Sequence, residues 1–91
     1  MVPDTQAALL NRLRRIEGQV RGIAGMVEAD RYCVDVLTQL QAVRAALAKV
    51  ESEMLKSHLS HCIEGAIASG DAAEQRAKAA ELVMLLERSG R

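Results

Sequence analysis

Neither tryptophan nor phenylalanine occurs in these 91 residues, and Tyr32 is the only tyrosine. Nucleic-acid binding by stacking bases on an aromatic platform has no side chains to work with. Proline is confined to position 3, so the rest of the chain is free to form helix. No apolar run approaches the ~20 residues of a membrane span, and no secretory signal pattern opens the chain. The expectation is a cytoplasmic protein without a membrane partner. Net charge is zero, which argues against a generic attraction to nucleic acid. No strand is evident, no glycine-rich phosphate loop follows one, and no Ser/His/Asp constellation is legible. An enzyme acting on a small-molecule substrate has no support.

What is present is helical periodicity. Leu9, Leu13, Ile16, Val20, Ile23 and Val27 follow alternating spacings of four and three, as do Val36, Leu40, Val43, Leu47, Val50 and Met54. This heptad pattern predicts helices packed at a shallow angle. Asp4 or Thr5 is the expected N-cap of a first helix over about 5–28, after a loose end at 1–4. Gly18, Gly22 and Gly25 imply close backbone approach or a bend in it. Asp30 is the expected N-cap of a second helix over about 31–64, closed by Gly65 and Gly70. A third helix is expected over about 72–88, with Ser89-Gly90-Arg91 fraying. The chain reads as one all-α domain, 1–91, small enough to gain burial by oligomerising.

Chemistry concentrates between Asp30 and Gly65, which hold Cys33, Cys62, His58 and His61. In a cytosolic chain, two cysteines point to metal or redox chemistry rather than to a structural disulfide. Two thiolates and an imidazole suit Cu(I) or zinc. His58 and Cys62 stand four apart, hence on one helix face. Cys33 precedes His58 by twenty-five residues, about 37 Å of straight helix. The three cannot meet within one copy. A second copy running antiparallel brings its Cys33 to the first copy's His58 and Cys62, giving an intersubunit site made twice per dimer. His61 points about 100° away from Cys62, toward the surface. A second cluster, Arg12, Arg14, Arg15 and Arg21 with Glu17 as the only acid among them, is either a phosphate-contacting surface or an ordinary solvated helix face.

Leu10 to Ile23 (LNRLRRIEGQVRGI), Asp30 to Leu40 (DRYCVDVLTQL) and His58 to Cys62 (HLSHC) together resemble the copper-sensing operon repressor (CsoR) family of bacterial metal-responsive regulators. The likeness covers nearly the whole length. It implies a three-helix protomer, an antiparallel four-helix-bundle dimer and a disc-like dimer-of-dimers tetramer. It implies a Cu(I) site of Cys33 from one protomer with His58 and Cys62 from another. Metal-free protein would then bind operator DNA, and Cu(I) would weaken that binding and derepress copper-homeostasis genes. By position the resemblance carries Arg12, Arg14 and Lys49 to the DNA surface, with Ser52 where relatives can have another basic residue. Arg15, Arg21 and Lys56 are added on charge. Tyr32 matches a tyrosine in a hydrogen-bond network with the non-ligating nitrogen of His58. Glu81 completes that network if the last turn is lengthened; rigid counting from Cys62 gives Lys78 instead.

Family subtypes differ in their ligands. Nickel or cobalt sensors usually add an N-terminal histidine, and none precedes His58. Formaldehyde sensors lack the second cysteine, and persulfide sensors lack the histidine. Copper is favoured, with zinc an adventitious occupant. The alternatives are a thiol-redox or persulfide-sensing repressor using Cys33 and Cys62, and a structural helical oligomerisation module with inert cysteines.

Overall fold

The computed structural model describes residues 2–89 and consists of three helices, α1 (Pro3–Glu28), α2 (Cys33–Ser69) and α3 (Ala72–Ser89). The expected frayed end at Gly90 and Arg91 lies outside the described residues, and Ser89 is still helical. Two compact units are present, one of Val2–Glu53 and one from Met54 onward.

In the first unit α1 begins earlier than expected. Pro3 occupies the first helical position and Val2, not Asp4 or Thr5, is the N-cap. Proline's fixed φ and missing N–H suit that position, and Asp4 complements the positive helix end from within the first turn. The other end of α1 corrects the reading of Asp30. The Arg31 N–H bonds to the Met26 carbonyl at 3.0 Å and the Asp30 N–H to the Val27 carbonyl at 3.1 Å. Asp30 itself has φ 53°. These are the two bonds and the left-handed residue of a Schellman ending. Asp30 therefore closes α1 rather than opening α2. Aspartate takes the place usual for glycine because a short polar side chain tolerates this backbone region. The backbone of Tyr32 caps α2 instead, its carbonyl accepting from the Asp35 N–H at 3.0 Å and the Val36 N–H at 3.2 Å.

Leu9, Ile16 and Ile23 of α1 pack with Val43 and Val50 of α2 as a buried cluster, flanked by half-buried Val36 and Ala46. Only alternate members of each heptad pattern face inward. Leu13, Val20 and Val27 on α1, and Leu40 and Leu47 on α2, remain exposed. A Cβ placed on Gly18, Gly22 or Gly25 would meet nothing within 4 Å, so no close approach within the described residues explains these glycines.

The second unit joins the end of α2 to α3. Gly65 does not stop the helix; α2 continues to Ser69. The break falls at Gly70, whose φ is 65°. The Ser69 hydroxyl donates to the Ala66 carbonyl at 2.7 Å and accepts from the Asp71 N–H at 3.2 Å. Asp71 then caps α3, its carboxylate accepting from the Ala73 N–H at 2.9 Å. Gln75 donates from Nε2 to the Ala66 carbonyl at 3.2 Å and ties α3 back to α2.

Candidate metal centre and basic groove

The register set by the Gly70–Asp71 turn brings Glu81 of α3 beside His58 of α2. His58 Nε2 lies 2.7 Å from Glu81 Oε1. Cys62, one turn beyond His58, places Sγ 3.8 Å from Nδ1 and 3.6 Å from Nε2 of the same ring. One donor atom from each of His58, Cys62 and Glu81 falls within 4.8 Å of the others. Lys78, one turn before Glu81, lies 3.5 Å from its other oxygen. The hydrogen bond from His58 and the charge of Lys78 hold the Glu81 carboxyl below its ordinary value of 4.5.

Glu81 is therefore a carboxylate at neutral pH, an acceptor only, and His58 Nε2 is the donor. An imidazole that donates from Nε2 has only Nδ1 left to offer a metal. A surface cavity of about 260 Å³ opens here, lined by Ser57, His58, His61 and Cys62. His61 thus borders the same space, which its angular separation from Cys62 does not suggest. Glu81 and Lys78, the two residues between which counting could not choose, both take part: Glu81 touches the imidazole and Lys78 touches Glu81.

Cys33 is the first residue of α2 and is exposed, as is Tyr32 before it.

The basic residues separate into groups. Arg12, Arg15 and Gln19 of α1, with Lys49 of α2, line a groove of about 300 Å³ that has Ile16 and Ala46 as its apolar members. Arg12 Nη1 forms an ion pair with Glu53 Oε1. Arg21 pairs with Glu17 at 3.3 Å along α1. Arg14 is exposed and outside the groove, and Lys56 belongs to the second unit. Glu53 was not among the sequence candidates. It stands 41 residues from Arg12, so no local pattern announces the pair.

A family model described as metal-sensitive transcriptional repressor matches residues 5–88. The chain is 59% identical over 63 residues to the copper-sensing transcriptional repressor CsoR of Bacillus subtilis, covering 69% of this chain. The match spans 62% of that relative's length. Among solved structures, the copper-sensing repressor CsoR with Cu(I) from Geobacillus thermodenitrificans superposes with a TM-score of 0.87 at 36% identity, covering 100% of this chain and 92% of that one. The nickel-responsive transcriptional regulator InrS superposes with a TM-score of 0.79 at 42% identity, covering 91% of this chain and 90% of that one.

Proposed function

Since the chain belongs to the metal-sensitive transcriptional repressor family, we propose that it is a Cu(I)-responsive repressor. Its metal-free form binds operator DNA, and Cu(I) at a Cys/His/Cys site shared between two copies weakens that binding and derepresses copper-homeostasis genes. The observation that carries this reading is the joining of His58, Cys62 and Glu81 in one cluster.

The donor set fits the metal. Cys62 offers a thiolate and His58 an imidazole, the soft and borderline ligands that Cu(I) takes. Glu81 accepts the Nε2 proton, orients the ring and leaves Nδ1 as the ligating atom. Cys33 is the remaining soft donor, and an antiparallel second copy supplies it together with Tyr32, which joins the hydrogen bonds around His58. Bound Cu(I) supplies a link between copies that the side chains alone do not make. Ni(II) prefers tetragonal nitrogen and oxygen ligands, which a site of two thiolates and one imidazole does not provide. This favours copper over nickel although relatives of both kinds share the fold.

The exposed heptad residues support self-association. Leu13, Val20, Leu40 and Leu47 are 38–50% exposed while their heptad partners are buried. A second copy laid along them completes an antiparallel four-helix bundle, and two such dimers make the tetramer. Operator DNA contacts Arg12, Arg14, Arg15, Arg21, Lys49 and Lys56. No described helix is long and apolar enough to cross a membrane. A repressor acting on operator DNA works in the cytoplasm. Coupling is by linkage: the DNA-free conformation binds Cu(I) more tightly, and DNA lowers copper affinity by the same factor.

The test is anaerobic Cu(I) titration of the reduced protein bound to duplex DNA that it selects from a random-sequence pool. One Cu(I) per protomer, ultraviolet thiolate-to-copper absorption, and DNA release at the same stoichiometry are expected. Tight copper without DNA release would make the protein a copper buffer. No stoichiometric copper would shift the reading to thiol redox sensing through Cys33 and Cys62.

A further inference from the structure

The groove between α1 and α2 carries three cations, yet one is already engaged. Arg12 and Lys49 stand on opposite walls, with Arg15 one turn after Arg12. Arg15 and Lys49 form no ion pair among the described residues, whereas Arg12 is held by Glu53. Glu53 lies four residues after Lys49, hence on the same face of α2. Both members of the pair are about one-third exposed, so an incoming group can reach them.

A guanidinium binds a carboxylate and a phosphate through the same planar fork of donors. Resting on the DNA-binding reading above, we infer that Glu53 is an internal counter-ion which a DNA phosphodiester displaces from Arg12. Two of the groove's cations, Arg15 and Lys49, attract the phosphate freely; the third is released to it only by exchange. The exchange lowers affinity for any DNA that engages Arg12. It spares DNA that does not, and so bears on selectivity as well as strength. It also leaves a signature in salt. A free arginine sheds bound counterions when it meets a phosphate, but an arginine already neutralised by Glu53 sheds few.

Glu53→Gln in the full chain tests this, measured by DNA binding across a salt series with duplex DNA selected by the unaltered protein. Glu51→Gln is the control: it removes the same charge from an exposed residue of α2 that has no ion pair among the described residues. Glu53→Gln is expected to tighten binding by about five-fold more than Glu51→Gln, as freeing one ion-paired arginine allows. Its salt slope steepens by about 0.9 for each Arg12 that contacts DNA. In an Arg12→Ala background the gain from Glu53→Gln falls to that of the control. Equal effects of the two substitutions would overturn the inference, as would weaker binding by Glu53→Gln, which would make Glu53 a residue that positions Arg12 for DNA. Failure of the unaltered protein to bind any selected duplex would overturn the DNA-binding reading itself.

Discussion

Five apolar side chains are buried between Val2 and Glu53, whereas Ala66 is the only buried residue described from Met54 onward. The first region is held by interlocked aliphatic residues. The second has only half-buried Leu55, Leu59, Leu82 and Leu85 beside Ala66, and adds polar contacts: the Ser69–Gly70–Asp71 turn, the Gln75 amide on Ala66, and the chain of His58, Glu81 and Lys78. Aliphatic packing is non-directional and loses free energy wherever a void opens. Exposed polar contacts contribute little each and exchange readily with other partners. Ligand-responsive segments are drawn from the less stable parts of a fold. The metal-donor cluster thus sits in the unit with fewer buried side chains, and the basic groove in the unit with more.

The division of labour is broken most completely at the thiolates. Cys62→Ala is expected to abolish stoichiometric copper binding while leaving helix content unchanged, because the side chain contributes to no buried cluster. Cys33→Ala should do the same from the other region. Mixing the two variants then distinguishes a shared site from two separate ones. In each mixed dimer one copy keeps Cys62 and the other keeps Cys33, so one of the two sites is complete. Copper absorption reappearing on mixing is expected; none would mean that the two cysteines do not serve one metal.

The next test weighs the buried half of the heptad pattern against the exposed half. Ile16→Ala removes a side chain 7% exposed and should cost about 2–3 kcal/mol of unfolding free energy, the low end for a core truncation because no side chain here is wholly sealed. Leu47→Ala, at 44% exposure, should matter little to a separated protomer and mainly shift the oligomer toward smaller species. Denaturation and sedimentation together read the two effects. Loss of protomer stability by Leu47→Ala at dilutions where the oligomer is absent would place that side chain in the protomer's own core.

These residues also show how far sequence reasoning reached. Spacing revealed both long helices, because a period near 3.5 is a property of the chain alone. It could not say which alternate positions face inward, since Leu9 and Leu13 are equivalent in pattern and differ only in what packs on them. Sequence alone does not place Asp30, because aspartate suits both an N-cap and, less often, a left-handed C-terminal position. The bonds that decide between them run back to Val27 and Met26. Gly65 does not act as a stop, because one glycine costs a helix only about 1 kcal/mol, and Ala66, Ile67 and Ala68 carry the helix on. His58 and Cys62 were legible as a pair because i and i+4 fix a face. The pairing of Arg12 with Glu53 was not, because it depends on how two helices cross.

The smallest effect tests whether polar contacts do hold the second region. Glu81 has a lowered pKa, so the unfolded chain binds its proton more readily than the folded one. Its pairing with His58 and Lys78 therefore stabilises the α2–α3 contact above the ordinary value of 4.5, and the stabilisation is lost as pH falls through the lower folded value. The carboxyl carbon of Glu81, followed by NMR in metal-free protein, should titrate with a midpoint below 4.5. The hydrogen bond from His58 is the largest cause and the charge of Lys78 the next, so His58→Ala should raise the midpoint more than Lys78→Ala. A midpoint at or above 4.5 in the unaltered protein would mean that the pair does not persist in solution, and that α3 is held by its turn, Gln75 and its half-buried leucines. The reverse ordering of the two variants would instead make Lys78 the principal partner of Glu81, with the His58 ring held by something else.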